Sequence, residues 1–134
     1  MTVPTTRRLE SVPVDECLQL LESRSIGRVA FIDNGVPQVL PVNYRFHEGM
    51  VVFRTHYGAL LDAVHLAAIA FEVDAIDADY RTGWSVVVHG KAEEVWRPEE
   101  LARLRDLPLR PWAPGARDHY VRILPGAITG RRIS

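Results

Sequence analysis

Residues 51–64, VVFRTHYGALLDAV, pass from strand-forming to helix-forming types through Arg54, Thr55, His56, Tyr57 and Gly58. Polar side chains followed by a glycine at a helix start are the residue types that hold a phosphate. The glycine lets backbone N–H groups approach the anion, and the helix start presents further donors. Such sites usually add a lysine or arginine just after the glycine. Here Ala59, Leu60 and Leu61 stand in those places, so the segment has the shell of an anion site without its customary cation. His56 is read as a turn residue before a phosphate ligand, and Tyr57 as a loop residue covering the same region.

Other residue types with chemical potential are dispersed. His47, His56, His65, His89 and His119 sit apart, none at metal-ligand spacing, so no metal site is expected. Ser85 lacks a Gly-x-Ser-x-Gly elbow and an evident acid–base partner, which argues against hydrolase chemistry. Glu72, Asp74, Asp77 and Asp79 form an acidic run that matches no calcium loop and reads as a solvated strand end. Residues 101–134 carry seven arginines against Asp106 and Asp118 alone. The sharper reading of that tail is contact with an anion or an acidic partner surface; the plainer one is an ordinary solvated face.

The elements that must position these residues follow from pattern. A chain of 134 residues, 47% apolar and 25% charged, suits one domain with its own core. A net charge of −1 gives no general attraction to nucleic acid or an anionic membrane, and few aromatics interleave with the basic residues as single-strand binding would need. Cys17 is the only cysteine, so an internal disulfide is excluded and a reducing, cytoplasmic setting is expected. No apolar stretch long enough for a signal or a membrane span occurs.

Residues 1–12 read as a flexible arm and 13–134 as a single domain. Val14, Cys17, Leu18 and Leu21 share one helix face. GRVAFI and VPQVLPVNYRF read as strands joined by a tight turn at Asn34-Gly35. Pro37 and Pro41 predict an edge, a bulge or an irregular stretch in the second of them, because proline gives no ladder donor. AAIAFEVDAID and WSVVVHGKAEEVW are further strands, the latter bent at Gly90. PEELARLRDL is a helix, and HYVRILP and AITGRRI are two last strands. Six to seven strands with two or three short helices favour a mainly β, antiparallel barrel with helices packed outside.

GRVAF, GVPQVLPVNY, VVFRT with its following glycine, AFEVD, GWSVVVHGKAEEV and the terminal HYVRI…ITGRRI together resemble the pyridoxamine 5'-phosphate oxidase-like family, over about residues 14–133 and in the family's order. The resemblance implies an FMN-binding split β-barrel and a homodimer with flavin in two interfacial clefts. It implies that Leu40, Pro41, Val42 and Asn43 pass along the isoalloxazine edge through backbone groups. Arg54 and Thr55 match positions near the ribityl-phosphate end, Gly58 the turn before the phosphate contacts, and Leu60 and Leu61 the places where a cation is common. Trp84, which would otherwise read as core, and Ser85 match a flavin-contacting strand start. Trp112 and Arg117 match a tail that reaches the partner's cleft.

The activity implied is transfer of electrons from a reduced nicotinamide, through FMN, to a small acceptor. A deazaflavin coenzyme in place of FMN, and a non-catalytic dimer with weakened or lost flavin binding, are the alternatives that Leu60 leaves open. One charge-assisted hydrogen bond contributes roughly 1.5–3 kcal/mol, so its loss weakens FMN binding if Arg54, Thr55 and the helix-start amides remain. Arg81, Arg45 or a partner arginine are candidate substitutes.

Overall fold

The computed structural model describes residues 8–55, 58–109 and 119–134. Period-two burial builds its strands. In β2 (Ile26–Asp33), Gly27, Val29 and Phe31 are buried while Ile26, Arg28 and Ile32 are exposed, which commits one face of the strand to a core. β2 turns into β3 (Val36–His47) through Asn34 at φ 51° and Gly35 at φ 78°, the left-handed pair that the Asn-Gly signal predicts. Glu48 and Gly49, at φ 52° and 76°, turn β3 into β4 (Met50–Thr55) in the same way.

β5 (Ala68–Asp77), β6 (Thr82–Glu94) and β7 (His119–Ile133) complete the large strands. All strand ladders are antiparallel, in the order β7-β4-β3-β2-β5-β6, and β6 pairs back to β7 to close the ring. The expected antiparallel barrel is present, with seven strands in one sheet. β1 (Leu9–Val12) pairs with Gly130–Ile133 at the end of β7, so this part of the anticipated arm is a strand. The two expected final strands are one continuous β7 of 15 residues. Its irregularity is opposite, between His89 and Gly90, where the β6–β7 register shifts. Gly90 is required there, since a Cβ would lie 2.1 Å from the Leu124 carbonyl oxygen.

β3 changes partner along its length, among the described residues pairing with β2 over Val36–Asn43 and with β4 over Tyr44–His47. The prolines explain the asymmetry: Pro37 and Pro41 carry no N–H to offer a second neighbour. The sheet therefore parts between β3 and β4, which is the split of a split barrel.

The interior holds Val29, Tyr44, Phe53, Phe71, Val86 and Ile123 among others, all nearly inaccessible. Tyr44 stands edge-on to Phe71 with ring centres 4.8 Å apart and donates its hydroxyl proton to the Leu21 carbonyl oxygen at 2.5 Å. Burial raises its phenol pKa above the ordinary value and keeps it a donor. Helix α1 (Val14–Glu22) contributes Cys17 and Leu21 to the core, while Val14 is 55% exposed; the buried face begins one turn later than the spacing suggests. Cys17 packs under Gly130, where a Cβ would come within 2.5 Å of its sulfur. Arg132 of β7 pairs with Glu16 and holds α1 to the sheet. Helix α2 (Gly58–Val64) sends Leu60 and Val64 into the core.

A second, smaller core lies outside the barrel wall. Leu104 of helix α3 (Pro98–Arg105) and the following Leu109 pack against Val52, Val95 and Tyr120, with Leu101 and Leu107 alongside. Pro98 in the first turn, Glu99 and Glu100 early, and Arg103 and Arg105 late match the macrodipole as expected. Arg122 fastens α3 to the sheet: Nε donates to Glu93 at 2.6 Å and a terminal nitrogen to Glu100 at 2.9 Å. Burial opposes the charge on Arg122, and the two glutamates more than offset it.

Gly27 brings β2 against the Phe71 ring, since a Cβ there would sit 2.3 Å from the ring's Cζ. Gly27→Ala should therefore lower stability by about 1–3 kcal/mol through overpacking. The check is the urea unfolding midpoint; an unchanged midpoint would show that Phe71 has room to retreat.

Candidate functional site

Where the sheet parts, three segments form a depression of about 460 Å³, lined by Ser25, Asn43, Tyr44, Arg45, Leu107, Pro108 and Leu109. Strand alternation sets the side chains: Asn43 and Arg45 project from one face of β3, and Tyr44 between them turns into the core. The Tyr44 amide donates to the Ser25 carbonyl at 2.9 Å, which anchors the start of β2 at the rim. The opposite wall is the chain leaving α3, held by Leu107 N–H to Leu104 O at 3.0 Å and Leu109 N–H to Leu107 O at 2.7 Å.

Arg54 stands behind that wall. Its guanidinium donates to the Leu109 carbonyl at 2.7 Å and lies over the Tyr120 ring at 5.3 Å. These contacts tie β4, β7 and the segment after α3 together and place positive charge beside the depression. Arg45 brings a second cation to its lining. The volume suits a planar ligand, and the contents are an aromatic, an amide, a guanidinium and aliphatic walls.

The other expected site residues take separate places. Leu40 and Val42 point inward from β3, Leu40 against the core and Val42 within it, so only their backbone and the Pro41 ring face the split. Thr55 is buried at the end of β4. Leu60 is 2% exposed and part of the core, whereas Leu61 reaches a second depression. Gly58 begins α2. Trp84 packs on the core with the Arg24 guanidinium 5.8 Å above its ring. Together with Ser85 it lines a third depression of about 280 Å³, with Leu9, Ile76, Gly83, Arg131 and Ile133. Trp112, Arg117, His56 and Tyr57 lie outside the described residues. Within one chain, then, Asn43 lines the first depression, Arg54 bonds to the Leu109 wall of it, and Trp84 and Ser85 form a separate group.

Two features escape a reading along the chain. His119 is not solitary: its Nδ1–H donates to Glu94 Oε2 at 2.8 Å, an approach made by cross-strand register between β6 and β7. On the outer barrel face, Arg28 of β2 meets Glu72 at 3.3 Å and Asp74 at 3.4 Å, both on β5. Their β6 neighbours, Val87 and Ser85, bring no charge. Burial is the largest influence on the Glu72 carboxyl, followed by the hydrogen bond and charge of Asp74. These outweigh Arg28 and push its pKa up to about 7 from an ordinary 4.5.

With this geometry in hand, comparison with known proteins defines the class. The pyridoxamine 5'-phosphate oxidase family model matches residues 13–132, and the chain belongs to that family. An uncharacterised Mycobacterium tuberculosis protein, Rv0080, is 41% identical over 135 residues, covering 96% of this chain and 88% of its own. The solved FAD binding protein of Mycobacterium smegmatis is 35% identical with a TM-score of 0.81, covering 92% of this chain and 97% of its own. A FAD-binding protein of Mesorhizobium loti has the same TM-score, 0.81, over 96% of this chain and 99% of its own; at 23% identity it speaks for the fold alone.

The Glu72 carboxyl titrates higher in the folded chain than its ordinary value, so the folded state holds the extra proton. Stability from this group is present in full below pH 4.5 and is lost as pH rises through about 7. Glu72→Gln should flatten the decline of stability across that window, measured as unfolding midpoints at a series of pH values. A slope identical to that of the parent protein would remove Glu72 as its source.

Proposed function

We propose that this chain is a flavin-binding, oxidoreductase-like protein that works as a homodimer in the cytoplasm. The observation that carries this reading is the parted sheet: Val36–Val42 pair on one side only, next to a depression containing Asn43 and Arg45. The pyrimidine edge of a flavin ring needs backbone donors and acceptors outside a ladder, which this stretch of β3 offers. Leu40, Pro41, Val42 and Asn43 would hold that edge, and Arg45 with Arg54 would supply charge toward the phosphate. Family membership supports the reading, as does the FAD-binding relative at 35% identity. FMN is the smaller cofactor consistent with the same ring site.

A bound flavin supplies hydride and single-electron transfer. In that chemistry backbone groups of β3 would hold the ring, Arg45 and Arg54 would supply positive charge toward the phosphate, and Leu107–Leu109 would form the apolar wall that keeps water from the site. A reduced nicotinamide would be the donor and a small molecule the acceptor; no residue is assigned as an acid or base. No helix among the described residues is long and apolar enough to cross a membrane.

A second copy fits the outer face of the β2–β3 hairpin. Ile32 and Val39, 56% and 59% exposed, share that face with Ala30, Pro37 and Pro41, and Arg28 stands opposite Pro41 at its charged end. An apolar patch of this kind beside a charged cluster favours a partner over water. In a dimer the separate Trp84–Ser85 group of one protomer could meet the Asn43 depression of the other.

Absorbance after loading with excess FMN or FAD and desalting tests the cofactor: retained flavin near one per chain is expected, and a colourless protein from both loadings would overturn the reading. Arg45→Ala should weaken flavin binding by about tenfold or more, from loss of one charge-assisted contact, measured by titration. Val39→Asp should shift the protein from dimer to monomer in sedimentation; an unaltered assembly would place the interface elsewhere.

A further inference from the structure

The outer face of the sheet carries a charged cluster among apolar and small side chains, and its charges do not balance. Cross-strand register lays the face out. Pro41 stands beside Arg28, Arg28 beside Glu72, and Glu72 beside Val87. The next row holds Val39, Ala30 and Ala70. The cluster therefore belongs to the same surface as Ile32 and Val39, where a second copy was placed above.

Both carboxylates are bonded to a single nitrogen. Arg28 Nη1 donates to Glu72 Oε1 at 3.3 Å and to Asp74 Oδ2 at 3.4 Å, and among the described residues its Nη2 and Nε donate to nothing. The Arg28 side chain is 55% exposed, whereas those of Glu72 and Asp74 are 31% and 28% exposed. The guanidinium thus turns an unused edge outward, and each carboxylate keeps lone pairs to spare. One cation against two carboxylates leaves an excess negative charge when all three groups are ionised.

Little else on the face cancels that charge. The neighbours of Glu72 on its own side are Ala70 of β5 and Val87 of β6, and Asp74 faces Ser85; all three are uncharged. His89 and Lys91 of β6, and Arg131 of β7 opposite Ser85, are the further titratable groups that register brings to this face. None of them bonds to the cluster among the described residues.

Covering such a cluster is unfavourable while it carries an uncompensated charge. A two-fold axis offers a way out. In an isologous contact each copy gives the other what it receives, so the unused edge of one Arg28 can meet the partner's Glu72 and Asp74, and the reverse. Two guanidinium groups then face four carboxylates. One proton on each Glu72–Asp74 pair makes the buried set neutral and turns one carboxyl of the pair into a donor for the other.

We propose that two copies associate through this cluster, each Arg28 reaching the partner's Glu72 and Asp74 with one proton held by each carboxyl pair, so that acid tightens the dimer. The inference rests on the homodimer reading above and deepens it, naming the polar centre of the contact and what controls it. Within one chain, burial and then Asp74 already push the Glu72 pKa up to about 7. Further burial between two copies raises it again. Association therefore takes up protons and weakens as pH rises through that range.

Sedimentation of the purified chain over a dilution series, at fixed ionic strength, tests the coupling at pH 6 and pH 8, on either side of about 7. The dimer dissociation constant should rise at least about tenfold from the lower pH to the higher, since each copy is competent only when protonated. Glu72→Gln and Asp74→Asn each remove one charge and keep a hydrogen-bonding head group. Both should abolish the pH dependence and hold the acid-side affinity on the alkaline side, and their melting temperatures report folding separately. Arg28→Gln should weaken the dimer at both pH values. A parent dimer equally resistant to dilution at the two pH values, or a pH dependence that survives in either folded carboxylate variant, would overturn the proton coupling and leave the homodimer standing. A parent protein that is monomeric at both would overturn the two together.

Discussion

Closure of the sheet by β6 on β7 is the constraint on which the rest depends. The two strands pair from Gly83↔Ile133 to Glu94↔Val121. In doing so they leave no long free edge on that side and commit one face of every strand to a common interior. Once the ring is closed, the remaining gap is set by β3, whose proline-bearing stretch Val36–Asn43 pairs with β2 alone. A barrel that must close and a strand that pairs on one side at a time together produce an ordered opening with fixed walls.

The arginines illustrate how charge is distributed in such a structure. Arg122 and Arg132, read along the chain as candidates for an external anion or partner, are paired with glutamates of the same chain. Arg28 does likewise on the outer face, and Arg54 is tied to a backbone carbonyl. Exposed pairs of this kind add little stability each, but those of Arg122 and Arg132 join helices to the sheet and so position the walls of the depressions. The excess of basic residues after position 100 therefore owes much to docking α3 and α1, in addition to any ligand.

Much of the architecture was legible before any coordinates because local patterns had one physical outcome. Period-two burial marked β2, Asn34-Gly35 marked a hairpin, Pro37 and Pro41 marked a strand with an open side, and Gly90 marked the register shift. Legibility ended where tertiary contact decides. Leu9–Val12 looks like a loose arm until the end of β7 is beside it. Pro125 and Gly126 suggest a break that a facing strand overrides. The direction of Leu60 depends on how α2 seats on the barrel, and adjacent leucines give no hint which one turns inward. The His119–Glu94 bond spans 25 positions and follows from a register that no local motif encodes. Asn43 and Arg54 entered as candidates through the family pattern and Arg45 only as a candidate substitute, whereas the Leu107–Leu109 wall of the depression required the α3 docking to be seen.

The packing of Cys17 under Gly130 has a practical corollary. The thiol is the only one in the chain, it is inaccessible, and burial raises its pKa above the ordinary value, so it is chemically silent while α1 lies on β7. A thiol reagent reaches it only when that junction opens. The rate of labelling at this one sulfur is thus a clock for the local breathing of the barrel seam, readable in the unmodified protein without any introduced probe.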